Sequence, residues 1–237
     1  MKSRSPWRSQ VVIAKNATGK RRLVVDYAST INRFSTIDAF PVPLIPDVIS
    51  KIHGYSFFSR LDMKSAYHQV PISFEDQPYT AFEADGQLWQ FTRLPFGVTN
   101  GVPAFGRVIK DIIADLDGVE SYFDDIIVCG RTQEEHDRNL KRFMSRASDV
   151  NLTLNQGKCT FSTKRLCFLG HCFEGGKMTP DAARLAPLMD FPVPTTVKQL
   201  ERFIGLTVYY SKWVKDYASI AKSLFDAKKN HDLPLGT

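Results

Sequence analysis

The chain has 237 residues, 43% hydrophobic and 24% charged, which is length and apolar content enough to bury a core. Its net charge of +6 and pI of about 9.1 suit a polyanionic partner, but the basic residues are dispersed and a plain solvated surface is equally open. No run of 18 apolar residues occurs and residues 1–10 are polar, so neither a membrane-spanning helix nor a signal peptide is expected.

Residues 10–26 read as a hairpin: a β-branched run at 10–15, turn chemistry at 16–19 and a second run at 22–26. Residues 27–54 are expected to be irregular, because Pro41, Pro43 and Pro46 interrupt any long element. Residues 55–62, YSFFSRLD, are strand-like. A second hairpin is expected at 79–94, with Asp85-Gly86 as its turn. Phe105, Val108, Ile109, Ile112, Ile113 and Leu116 recur at helical spacing, which predicts a helix over 103–117 with Gly118 just past its end. A strand-turn-strand follows around 122–125. Thr132 with Glu135 three residues on predicts the start of a second helix, with Leu140, Phe143, Met144 and Ala147 on its inner face.

A third hairpin is expected at 165–178, turning at Glu174-Gly175-Gly176. Pro180, Pro187, Pro192 and Pro194 then mark a linker-like stretch. Beyond it, Thr196 and Gln199 form another capping box. Leu200, Phe203 and Ile204 give one apolar helix face, and Trp213, Tyr217, Ile220, Ala221 and Leu224 another. The pattern is a mixed α/β body followed by a small helical subdomain. The four cysteines, Cys129, Cys159, Cys167 and Cys172, form no CxxC pair, so reduced and mostly buried thiols of an intracellular protein are expected, with no structural zinc.

The chemistry concentrates in carboxylates. Asp124-Asp125 sits between two apolar runs, at the tip of the expected hairpin. Two adjacent like charges are relieved only by solvent or cations, and hard divalent ions prefer carboxylate oxygens. A chain this rich in aspartate carries such a doublet about once by chance, so a solvated turn is also open. Asp62 ends a strand-like run upstream. If its strand lies beside the 124–125 turn, carboxylates from two strands could clamp two metals; a lone Asp at a strand end is more often a helix N-cap or turn residue.

Several segments in order resemble the reverse transcriptases of long-terminal-repeat retrotransposons of the gypsy type. They are SRSPWRSQVVIAK (3–15), RRLVVDY (21–27) with Asn32, FFSRLDMKSAYHQVPI (57–72), YTAF (79–82), LPFGVTN (94–100), YFDDIIV (122–128), LTLNQGKCTF (152–161), FLGH (168–171) and residues 204–225. The resemblance implies an α+β right-hand polymerase fold, with fingers and an RRM-like palm over 1–178 and a helical thumb over 179–237. It implies RNA-directed DNA synthesis by two-metal nucleotidyl transfer from a dNTP to a primer 3′-hydroxyl. Partners would be an RNA or DNA template-primer and dNTPs, with no membrane. The place of action would be the cytoplasm, a virus-like particle or the nucleus.

Residue by residue, the resemblance implies that Asp62, Asp124 and Asp125 bind two Mg²⁺ or Mn²⁺ ions and that Lys158 protonates the leaving pyrophosphate. Lys15 and Arg22 would clamp the triphosphate. Met63, Lys64, Ser65, Ala66, Tyr67 and Phe96 would line the nucleotide site, Tyr67 excluding a 2′-hydroxyl by its bulk. Phe168, Leu169, Gly170 and His171 would form the primer grip. Some positions depart from the family: Ala28 replaces an Arg, Tyr79 a Lys, Gly106 a Gln, and Phe123 a smaller apolar residue. Met1 falls inside the family's fingers, so an opening helix and strand, and the RNase H and integrase of a Pol polyprotein, are expected outside this chain. An inactive remnant that keeps the fold and at most binds nucleic acid is the alternative.

Overall fold

The structure, a computed structural model, describes residues 1–15, 19 and 21–230. It divides into two compact units, Met1–Thr163 and Lys164–Thr237. The first begins with an antiparallel hairpin of β1 (Gln10–Lys15) and β2 (Arg21–Asp26). The turn expected at 16–19 lies, apart from Gly19, outside the described residues. The stretch expected to be irregular holds two short helices, α1 (Ile31–Phe34) and α2 (Ile45–Ile52). Pro46 sits in the first turn of α2, where its missing N–H would have no intrahelical partner anyway.

Next come β3 (Phe57–Asp62), then β4 (Phe82–Ala84) and β5 (Gln87–Trp89). This second hairpin turns at Asp85 and Gly86, both at positive φ. It is shorter than expected, because Gln77–Thr80, with Pro78 in it, winds into a 3₁₀ turn. Helix α3 (Gly101–Ile113) starts and stops earlier than its periodicity suggests. Strands β6 (Val119–Tyr122) and β7 (Asp125–Gly130), helix α4 (Gln133–Asp149) and strand β8 (Thr160–Thr163) complete the unit. The Thr132 cap is present: its hydroxyl accepts from Glu135 N–H, and the Glu135 carboxylate accepts from Arg131 N–H.

Four of these strands form one antiparallel sheet in the order β6-β7-β3-β8. Side chains alternate along each strand. Leu61, Ile126 and Val128 therefore point one way, into a core shared with Phe105 and Ile109 of α3 and Phe143 and Ala147 of α4. Arg60, Asp62 and Asp125 belong to the opposite parity. Burying the first set is what fixes the register of the second.

In the second unit, β9 (Arg165–Phe168), β10 (His171–Glu174) and β11 (Lys177–Pro180) form an antiparallel sheet in the order β11-β10-β9. Gly175 and Gly176, both at positive φ, make the β10–β11 turn as expected. The single first strand expected over 165–173 is instead folded back on itself at Leu169-Gly170, both at positive φ, giving β9 and β10. The proline-marked stretch is not all linker, since α5 (Ala182–Met189) occupies part of it, with Pro187 near its end. Helix α6 (Val197–Tyr210) starts at the expected cap, where Thr196 Oγ1 accepts from Gln199 N–H. Leu200 and Ile204 pack with Leu224 and Ala227 of α7 (Tyr217–Asn230). Trp213 lies in a 3₁₀ turn and Ile220 is exposed, so neither belongs to the packed face expected of them.

The cysteine expectation needs correcting. Cys167 and Cys172 are direct cross-strand partners of β9 and β10, with Cα atoms 4.0 Å apart, and are joined as a disulfide. Only Cys129 and Cys159 carry free thiols. Burial pushes the Cys129 thiol above its usual range. Among the described residues, no helix is long and apolar enough to cross a membrane.

Candidate active site

Three aspartates meet where β3 ends and β7 begins. Asp62 and Asp125 are direct cross-strand partners, and Asp124 lies in the two-residue turn that joins β6 to β7. That turn is made possible by Phe123 at φ 51°, with Tyr122 paired to Asp125. Two backbone bonds tie the β3 end down: Met63 N–H donates to Asp124 O at 3.3 Å, and Asn155 N–H to Asp62 O at 2.8 Å. The second comes from the LTLNQGKCTF segment, which also brings Lys158 Nζ to 3.8 Å from Asp62 Oδ2.

The three acids differ electrostatically. Asp124 Oδ1 is buried without a hydrogen-bond partner among the described residues. Burial first, then the neighbouring Asp125 and Asp62, push the Asp124 carboxyl above its usual range, and Lys158 opposes them. Asp125 is satisfied instead: Arg60 Nε donates to Oδ1 and Nη2 to Oδ2, each at 2.9 Å. An orphaned carboxylate oxygen on which two further carboxylates act has the chemistry a hard divalent cation needs, although the carboxylate oxygens of Asp62, Asp124 and Asp125 do not all lie within 4.8 Å of one another.

The following segment carries the other expected nucleotide-site residues. Met63 bridges Leu154, Lys64 N–H donates to Thr153 O, and Ser65 adopts a left-handed conformation before the 3₁₀ turn Ala66–Gln69. Ala66 is buried. The Tyr67 ring stacks on Phe105 at 5.0 Å and tilts against Phe96 at 4.9 Å. Burial, then Asp124, raise the Tyr67 hydroxyl above its usual range. Phe96 is half exposed in a loop clamped by Asn32, whose amide donates to Gly97 O and accepts from Thr99 N–H, both at 2.8 Å. A Cβ on Gly106 would lie 3.1 Å from the Phe40 ring, so Phe40 covers this position.

Lys15 and Arg22 lie on the separate β1–β2 hairpin, exposed, paired with Arg21 and Ala14 respectively. In the second unit, Phe168, Leu169, Gly170 and His171 form a two-residue turn between β9 and β10, with Leu169 and Gly170 at positive φ. His171 is buried, its Nδ1 3.0 Å from Leu169 O and its Nε2 2.8 Å from Lys212 Nζ. A Cβ on Gly170 would lie 2.7 Å from the Tyr209 hydroxyl. Sequence reasoning missed Arg60 and Lys212. For Arg60 a signal existed, since a cation two residues before Asp62 on a strand shares its face.

Comparison with known proteins gives the family and the fold. Residues 9–173 match the family model "Reverse transcriptase (RNA-dependent DNA polymerase)". The chain belongs to that reverse transcriptase family. Within it, the chain is 34% identical over 229 residues to the retrovirus-related Pol polyprotein from transposon opus of Drosophila melanogaster, covering 94% of this chain. It is 30% identical over 238 residues to that of transposon gypsy from the same organism, covering 97%. It spans about a quarter of the length of these relatives, 23% in both cases. Among solved structures it resembles the foamy viral protease-reverse transcriptase dRH in complex with double-stranded DNA. There the TM-score is 0.84 at 21% identity, covering 97% of this chain and 40% of that one. The same viral protein with an RNA/DNA hybrid gives 0.78 at 20% identity, covering 98% of this chain and 31% of that one. The expected α+β polymerase fold is therefore the observed one.

Proposed function

We propose that this chain is the polymerase part of a reverse transcriptase, joining a dNTP to a primer 3′-hydroxyl on an RNA or DNA template. The observation that carries the reading is the pairing of Asp62 with Asp125 beside Asp124, whose buried Oδ1 lacks a partner among the described residues. Two Mg²⁺ or Mn²⁺ ions held at this carboxylate cluster would supply a polarised 3′-hydroxyl and charge stabilisation on the leaving pyrophosphate.

The remaining roles belong to the chain. Lys158, beside Asp62, is placed to hand a proton to the pyrophosphate oxygen. Tyr67, braced by Phe96 and Phe105, excludes a 2′-hydroxyl by bulk. Met63, Lys64, Ser65 and Ala66 carry the backbone that shapes the nucleotide site. Lys15 and Arg22 give fixed positive charge to the triphosphate. The Phe168–His171 turn holds the primer end. A template-primer duplex as partner is supported by the foamy viral relatives, which were solved with double-stranded DNA and with an RNA/DNA hybrid.

Primer extension on an RNA template with Mg²⁺ or Mn²⁺ tests the reading. Incorporation that disappears in Asp124→Asn is expected. A folded preparation that binds template-primer and incorporates nothing would leave only a nucleic-acid-binding remnant.

A further inference from the structure

The three carboxylates are not equivalent, and the difference is set by Arg60. Arg60 lies two residues before Asp62 on β3, so both side chains leave the same face of the sheet. Its direct partner on β7 is Ile127, which makes Asp125 a diagonal neighbour within reach of a long side chain. The planar guanidinium meets the Asp125 carboxylate as a fork, with two parallel N–H···O bonds of 2.9 Å that occupy both oxygens. Among the described residues, the cation paired with Asp62 is Lys158, at 3.8 Å, beyond hydrogen-bond length, and the Arg60 charge also reaches Asp62 through space. Asp124 keeps a buried oxygen with no partner among them.

We infer that Arg60 is a positioning residue and the resident counter-cation of this cluster: it locks Asp125 in place as a charge-balancing group, leaving Asp62 and Asp124 as the carboxylates that hold metal. The identity of the ions rests on the polymerase reading; the division of roles rests on the geometry. Without Arg60, a positive charge leaves the neighbourhood of a dication, and both oxygens of Asp125 are released. Each change strengthens metal binding. At the same time Asp125 loses its fixed orientation, and nucleotide transfer suffers.

Tighter metal binding with slower incorporation is a signature that general loss of structure does not produce. The test titrates the full chain with Mn²⁺ without nucleic acid, following free Mn²⁺ by electron paramagnetic resonance, alongside primer extension. Arg60→Met is expected to bind Mn²⁺ about tenfold tighter than wild type while incorporating more slowly. Arg60→Lys keeps the charge without the fork, so its affinity stays near wild type while incorporation falls. Asp125→Asn removes a nearby charge but no metal ligand, so it should weaken affinity less than Asp124→Asn, which should weaken it by about tenfold or more.

Unchanged or weaker Mn²⁺ binding by a folded Arg60→Met would overturn the inference. So would Asp125→Asn weakening binding as much as Asp124→Asn, an arm that decides the matter if Arg60→Met does not fold. A wild-type chain that binds no Mn²⁺ removes it as well. If wild type binds Mn²⁺ but extends no primer, the polymerase reading fails, while the binding arms still decide the role of Arg60.

Discussion

Lys212 donates its Nζ to Nε2 of His171 over 2.8 Å, and the opposite ring nitrogen of His171 lies 3.0 Å from Leu169 O. An ammonium can only donate, so Nε2 is the acceptor and the proton sits on Nδ1. The imidazole is therefore neutral. Burial first, then the Lys212 and Arg184 charges, hold its pKa below the usual 6.5, against the bond to Leu169. A histidine depressed in the folded state binds fewer protons there than when unfolded, so its contribution is full above about pH 6.5 and is lost as pH falls toward its folded value. A nuclear magnetic resonance titration should find the His171 ring changing charge below pH 6.5. In denaturant melts, stability should fall as pH drops below about 6.5 more steeply in wild type than in His171→Gln. Parallel profiles would contradict this.

Tyr67 stands between Phe96 and Phe105. If this ring excludes ribonucleotides, Tyr67→Val should raise the ribo-to-deoxyribonucleotide incorporation ratio by about tenfold or more, and Tyr67→Phe should not. The valine change also removes two ring contacts, at a cost of about 1–3 kcal/mol in stability. Competitive single-nucleotide incorporation measures the ratio; an unchanged ratio in Tyr67→Val ends the steric role.

What could be read without coordinates was local. The Thr132 and Thr196 caps, the Asp85-Gly86 turn and the Gly175-Gly176 turn all appear where their residues announce them, because each depends on bonds within a few residues. Helices α1 and α2 are too short for a periodicity, and the 3₁₀ turn at Gln77–Thr80 cut into a run that looked like strand. In the site, Asp124-Asp125 was ambiguous alone and joined Asp62 only through the ordered family motifs. The coordinates add the register, Asp62 opposite Asp125, and the Arg60 fork. Both depend on which strands become neighbours across more than sixty residues, which local pattern cannot reveal.

The same limit hid the disulfide, since Cys167 and Cys172 face each other only once β9 and β10 pair. Their separation is 5 residues, so the loop closed is short and its entropic contribution modest, about 2 kcal/mol. Reductant should therefore lower stability by about that amount without unfolding the chain at room temperature. Thiol titration in denaturant should count two free thiols without reductant, for Cys129 and Cys159, and four after reduction. A count of four from the start would remove the staple.

Gly130 carries the tightest steric constraint among these positions. It ends β7, where the first turn of α4 crosses the strand. A Cβ there would lie 2.2 Å from His136 N and 2.5 Å from His136 Cα, both backbone atoms that cannot step aside alone. His136 is itself pinned, fully buried, with Nε2 2.9 Å from Ser59 Oγ and Nδ1 2.9 Å from Asp137 Oδ1. Relief would mean lifting α4, and with it Phe143 and Ala147, off the core behind the aspartates. Gly130→Ala should cost about 3 kcal/mol or more in a denaturant melt, well above the roughly 1 kcal/mol typical of a point change. Its primer-extension activity should fall in proportion to the folded fraction, because the overlap falls on the support and not on Asp62, Asp124 or Asp125. A near-neutral Gly130→Ala would mean that α4 does not cross β7 this closely.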